Sequence, residues 1–215
     1  MTPCRLVLLL GAYLTAVSAP AAELVMEDLT LAVQAGPSQV TASVDNGSRS
    51  TTVDDGFAQA YGLRVGLRHA FSRPGGALAP LLGAELTVNR GVFQDGSSDE
   101  RGGVLLGPGV GWAAFDTCTF FMQGVVGVGL ERTTLTATPA YNALVAEGWW
   151  WSSAVRVGAL VNLDQRWLIG LEGEYGAAPG SVSGDGLDLT IRPAGVSGAL
   201  VLVWRMDASP AVLEQ

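Results

Sequence analysis

The chain has 215 residues and a formal net charge of −8, with 20 acidic against 12 basic residues and 29 glycines. An acidic chain with scattered basic residues offers no cationic face to nucleic acid. The length fits one domain. Cys118, the one cysteine beyond the N-terminal segment, leaves no internal disulfide and reads as a small hydrophobe.

Residues 1–21 have the make-up of a secretory signal peptide: Arg5 supplies the basic end, Leu6 to Val17 the apolar stretch, and Ala19-Pro20-Ala21 the small-residue cleavage site. Cleavage is expected after Ala21 or Ala22. Every later apolar run is interrupted by Gly, Arg, Glu or Asp before the ~18 residues a spanning helix needs. For a secreted, apolar, Gly-rich chain, a closed barrel is then the remaining way to satisfy the backbone in lipid.

A first strand is expected over 25–35, with Leu29, Leu31 and Val33 on one face; Glu27 shares that face and must lie at the membrane interface. The clearest signal follows at 57–71. Odd positions there carry Phe57, Tyr61, Leu63, Val65, Leu67 and Phe71, whereas even positions carry small residues with Arg64 and Arg68. Strand side chains alternate between faces, so one face is bulky and apolar and the other small and charged, the reverse of a soluble strand. Aromatics near the ends with aliphatics between them fit a lipid-facing row, with the charged face turned into a narrow lumen. A soluble lipocalin-like barrel would place the bulky face inside.

The pattern recurs at 82–89, 104–113, 120–131, 149–162 and 167–176, and a closing strand is expected over 187–206. In that last segment Leu187, Leu189 and Ile191 occupy one phase and Val196, Leu200, Leu202 and Trp204 the other, which predicts a β-bulge beside Pro193 and Gly195. Eight strands result. Short links at 72–80, 116–118 and 164–166 alternate with long polar ones at 36–56, 91–102, 132–148 and 176–186, as expected for short periplasmic turns, long outer loops and periplasmic termini. The fold read from this pattern is all-β: an eight-stranded antiparallel up-and-down transmembrane β-barrel over 22–206, with a short periplasmic tail over 207–215.

On these strands and connections the chain resembles the small eight-stranded outer-membrane barrels, the group that includes the OmpA transmembrane domain, OmpX and OmpW. Its closing strand is similar to the group's terminal assembly signal at Ala199, Leu202 and Trp204, although residues 207–215 follow. The resemblance implies a monomer in the bacterial outer membrane after Sec-type export, with membrane lipids, lipopolysaccharide and the assembly machinery as partners. Within it, OmpW-like barrels imply an apolar mouth that admits small hydrophobic molecules, and other small barrels hydrolyse or transfer lipid A acyl chains.

Projected inward, Asp28, Glu85, Glu131, Glu172 and Glu174 face Arg64, Arg68 and Arg156 and are expected to pair, because an isolated ion in a dehydrated bore is costly. Arg64 and Arg68 take acidic partners including Glu85. Eight strands leave an interior just wide enough for side chains, so a paired network fills it. The alternative is a gated or very narrow pore. An interfacial aromatic girdle is expected from Phe57, Tyr61, Phe71, Trp112, Phe120, Trp149, Trp151, Trp167, Tyr175 and Trp204.

No catalytic constellation is expected. His69, the single histidine, lies on the bulky face beside Phe71 and reads as a girdle residue. Neither cofactor nor metal is expected: the loop from Asp95 to Glu100 spaces its oxygens like the start of a calcium loop, lacks the later ligands, and reads as a solvated acidic loop. The third long loop is unusually apolar, with Leu135, Tyr141 and Leu144. These residues either form an exposed binding surface or mouth, or fold over the bore and extend a strand. The function expected is a non-enzymatic structural or surface-interaction role through the outer loops. A narrow channel for small hydrophobic compounds and a lipid A-modifying enzyme are the alternatives.

Overall fold

The structure, a computed structural model, describes residues 23–36, 39–45, 50–57, 59–72, 78–115, 117–136, 143–184 and 187–208. The segments read as signal peptide and most of the C-terminal tail lie outside these residues. Every described element is a strand: β1 (Glu23–Ala35), β2 (Gln39–Asp45), β3 (Ser50–Gly56), β4 (Gln59–Ser72), β5 (Ala79–Val92), β6 (Ser98–Phe115), β7 (Cys118–Leu135), β8 (Leu144–Asn162), β9 (Trp167–Ala177), β10 (Gly180–Gly184) and β11 (Leu187–Ala208).

All pairings are antiparallel. β10 continues the course of β9 past Ala178 and Pro179, since both run between β8 and β11. β2 continues β1 along β11 and then turns back as β3. β3 in turn runs on into β4, as Gly56 pairs with Gln39 and Tyr61 with Ala35, so with each continued strand counted once eight strands form a ring that β1 closes against β11.

The stagger of the ring follows from its register. A walk along paired residues from Trp167 through Trp204, Leu29, Leu67, Ala84, Leu106, Val126 and Ser153 returns to β9 at Ala177, ten residues further along the strand. Eight strands with that stagger tilt by about 40° and enclose a cylinder of about 8 Å radius at the backbone. Gly129 lets two strands approach: a Cβ there would overlap Gly102 O and Gly103 Cα across the β6–β7 pair.

The faces alternate in the inverted sense. Leu86 is 64% and Leu171 69% exposed, whereas Arg156 is 1% exposed. Along β4 the outward row from Tyr61 to Phe71 rises about 25 Å after tilt, the height of an outer-membrane apolar band. Towards the short turns, Trp112 stacks on Phe120 at 5.9 Å and Trp167 on Trp204 at 6.3 Å between ring centroids. Towards the long loops the exposed aromatics are Tyr61, Trp149, Trp151 and Tyr175. The turn before Trp167 is set by Asp164, whose Oδ1 accepts from the backbone N–H of Arg166 and of Trp167, both at 2.7 Å. Those amides, then the nearby Arg166 charge, hold its carboxyl below the usual aspartate range. The turn therefore keeps its charge at neutral pH and loses this support only as pH falls through that lowered value.

Several expectations change. β11 has no bulge beside Pro193: Leu189, Ile191, Ala199, Val201 and Val203 are all buried on one uninterrupted phase, and no register shift interrupts its pairing with β2, β9 or β10. What changes at that point is the set of neighbours. Ala194 pairs with both Gln39 and Ala177, Pro193 O accepts from Ala178 N at 2.9 Å, and Gly195 takes φ 137°. Beyond the lipid band the outer wall meets water, so the wall reverts to the soluble pattern, with Leu189 and Ile191 inside and Asp188 and Arg192 outside. Register shifts occur instead near the turn end, at Leu24/Met26, Glu27/Asp28 and Ala113/Phe115.

The long connections are also shorter than expected. The first contains the β2–β3 hairpin, the second begins only after Val92 and ends at Ser98, the fourth contains β10, and β11 runs to Ala208 rather than Met206. Phe57 is not a girdle residue, because it precedes β4 and packs on Phe93 at 4.7 Å between centroids.

The inverted faces make a sharp mutational contrast. Val157→Arg, on the outward face midway along β8, is expected to cost about 2–4 kcal/mol in equilibrium unfolding from lipid vesicles, whereas Ser181→Arg, exposed on β10 beyond the band, is expected to change stability by less than about 0.5 kcal/mol.

Candidate functional site in the barrel lumen

The lumen is filled in layers. At the turn end Leu81, Phe121, Leu160, Leu168, Val201 and Val203 form an apolar plug with small residues of β1, β4 and β11. Above it lies the charge layer, and alternation alone delivers its members: Arg64 from β4, Glu85 from β5, Arg156 from β8, and Glu172 and Glu174 from β9 all point inward.

Arg156 is the hub. Its Nη1 donates to Glu85 Oε1 at 3.0 Å and Oε2 at 2.9 Å, its Nε lies 2.8 Å from Glu172 Oε1, and its Nη2 donates to Glu174 Oε2 at 2.8 Å. Arg64 reaches the same three carboxylates: Nη1 is 3.3 Å from Glu85 Oε2 and 3.8 Å from Glu174 Oε2, and Nη2 donates to Glu172 Oε1. The Arg156–Glu85 contact joins β8 to β5, so a side-chain bridge crosses the bore.

Arg68 departs from expectation. Its guanidinium sits over the Phe121 ring, 4.2 Å from the centroid, and its Nε and Nη2 have no hydrogen-bond partner among the described residues. Arg68 therefore lies at the level of the apolar plug, below the layer in which Arg64 and Arg156 meet three glutamates. Asp28 lies apart from this layer and is 3.5 Å from Arg205 Nε.

Glu131 also belongs elsewhere. It joins a cluster at the loop end in which Arg101 Nη2 donates to Glu131 Oε1 at 2.7 Å, Arg101 Nε donates to Asp99 Oδ2 at 2.7 Å, and Thr133 Oγ1 donates to Asp99 Oδ1 at 3.2 Å. Arg101 Nη1 further donates to Ala178 O, tying β6 to the β9–β10 junction. Asp99 is thus 2% exposed and structural, contrary to a solvated loop, while Asp95 makes the turn by accepting from Ser97 N and Oγ, each at 2.9 Å. The sequence carried the signal for both residues, since Asp99 and Arg101 share the inward phase of Leu105 and Gly107.

Between the two polar layers lies a cavity of about 160 Å³ open toward the loops, with Arg64 and Glu174 in its floor and Phe57, Leu105, Trp150 and Ala178 in its walls. Trp150 was hidden among three consecutive tryptophans. It points inward, packs on Leu105 and Val125, and its Nε1 donates to Leu130 O at 3.0 Å.

Of the three apolar loop residues, Leu135 pairs with Leu144 and extends the β7–β8 hairpin, and Leu135 packs on Ala146, Val182 and Leu189. Tyr141 lies outside the described residues. His69 is at the turn end, 3.7 Å from Glu27 Oε1, with both side chains 31% exposed.

Removing the hub leaves the buried carboxylates of Glu85 and Glu172 short of a partner. Arg156→Met is expected to destabilise the barrel by about 3–5 kcal/mol in equilibrium unfolding. Arg68→Met replaces a guanidinium that has no carboxylate hydrogen bond and is expected to be neutral or stabilising; a loss as large as that of Arg156→Met would show that Arg68 is an essential member of the layer.

No protein-family model and no curated protein matches the chain. Among solved structures it is similar to Ail, the attachment invasion locus protein of Yersinia pestis, with 11% identity over 85% of this chain and 100% of that chain and a TM-score of 0.42. It is also similar to Neisserial surface protein A (8% identity, 82% and 95% covered, TM-score 0.44) and to the outer membrane protein OprG from Pseudomonas aeruginosa (9% identity, 86% and 98% covered, TM-score 0.39). The ring closure and the inverted faces, independently of these likenesses, make the chain a transmembrane β-barrel.

Proposed function

We propose that the chain is a non-enzymatic protein of the bacterial outer membrane, exported by the Sec route, closed along its axis, and acting structurally or through contacts made by its loop end. The filled lumen carries this reading. An apolar plug, a bridged charge layer and the Asp99–Arg101–Glu131 cluster succeed one another along the bore, and the cavity between the polar layers ends on the Arg64 and Glu174 floor. A barrel that conducts nothing retains its outer end as the working surface, and there β2, β3 and β10 extend the wall beyond the girdle.

The cavity itself favours a second reading, a narrow passage for small hydrophobic compounds, because Phe57, Leu105 and Trp150 give it apolar walls. Planar-bilayer recording and uptake of a hydrophobic tracer into proteoliposomes separate the two. The closed barrel is expected to give neither stable ohmic steps nor protein-dependent uptake. Steps altered by Glu85→Gln, or uptake abolished by the cavity-filling Ala154→Leu, would replace it with the second reading.

A further inference from the structure

The outer wall of β5 to β8 carries a notch that the lumen-centred reading does not use. Gly102 takes an outward position between its pairing partners Val88 on β5 and Leu130 on β7, and a Cβ built on it would meet only Thr87 O, at 4.0 Å. The absent side chain forms part of the floor of an open groove of about 870 Å³ on the outside of the barrel, flanked by Tyr61 and Trp149, which are 50% and 65% exposed.

Four charges follow one diagonal of paired residues above it: Arg90 faces Glu100, Glu100 faces Arg132, and Arg132 faces Glu147. The two arginines stand two strands apart, about 10 Å. Their ion pairs are long and exposed, 3.5 Å for Arg90 Nη1–Glu100 Oε1 and 3.9 Å for Arg132 Nε–Glu147 Oε1, and no hydrogen bond fixes either guanidinium among the described residues. Exposed pairs of this kind hold a side chain weakly, so both arginines can turn to an incoming anion.

We propose that this groove binds one phosphorylated glycolipid of the outer leaflet. An acyl chain lies over Gly102, Arg90 and Arg132 take the phosphates, and Trp149 packs against the sugar. The occupant follows from the surroundings. The groove opens on the same face as the lipid-exposed Val88 and Leu130, so hydrocarbon fills its lower part, and guanidinium groups bind phosphate by paired N–H donors. The proposal rests on the outer-membrane reading.

Native mass spectrometry of the folded, detergent-solubilised chain tests it, with diphosphorylated lipid A, dephosphorylated lipid A and phosphatidylglycerol as probes. One diphosphorylated lipid A should be retained per barrel, on the order of tenfold more tightly than either other lipid. The Arg90→Gln/Arg132→Gln variant and Gly102→Leu should each lose on the order of tenfold in retention, while Arg192→Gln, on β11, should retain it fully. Equal retention by the wild type and the double arginine variant, or equal retention of all three lipids, overturns the site. Heat-dependent gel mobility is recorded for every variant. A wild type without the shift contradicts the membrane reading itself, folded barrels with equal retention contradict only the site, and if Gly102→Leu fails to fold the arginine variant decides.

Discussion

Ring closure is the constraint on which the rest depends. In lipid every backbone N–H and C=O must find a partner in the protein, and eight strands meet that demand only when β1 pairs with β11. Closure with a ten-residue stagger fixes a cylinder of about 8 Å radius at the backbone, an interior just wide enough for side chains. Charges on the inner face are then buried, and all but Arg68 of the strongly buried ones meet an opposite charge among the described residues. The charge layer is a consequence of the closure, and the glutamates on β5 and β9 are placed to share Arg156 and Arg64 because the stagger brings distant sequence positions to one level.

The same wall obeys two solvents. Within the band, Leu86, Val104, Val157 and Leu171 face outward and the small or charged residues face in. Beyond it, Ala146, Val182 and Leu189 form an interior cluster while Ser181 and Asp188 face out. The reversal marks where lipid gives way to water more sharply than the aromatics do. It also gives the loop end a small core of its own, built from β7, β8, β10 and β11.

Much of the fold was legible because strand parity is local. The alternation in 57–71 requires no knowledge of neighbours, and Arg64, Glu85, Arg156 and Glu172 could be placed inside from it alone. The contact of Arg64 with Glu85 was legible too, because their strands are neighbours, whereas the partners of Arg156 and the place of Arg68 were not. Arg68 is on the correct face yet lies level with Phe121, and only the stagger determines that. Parity also fails where a strand has not begun, as at Phe57, and where the solvent changes, as at Leu189 and Ile191, whose apolar face looked like a slip of register. Asp99 and Arg101 were hidden by the assumption that a polar stretch is a loop. Their spacing was strand-like throughout. The β2–β3 hairpin and β10 had no comparable signal, because short polar strands in the water phase lack the bulky face by which the others were recognised.

Bulky side chains face lipid around a closed ring, and fractionation of expressing cells combined with gel mobility of unheated and boiled samples reads that arrangement out. The protein is expected to sediment with the outer membrane, and the unheated sample to migrate differently from the boiled one, because a closed barrel resists detergent until heated. Recovery in the soluble periplasmic fraction with no heat-dependent shift would contradict it.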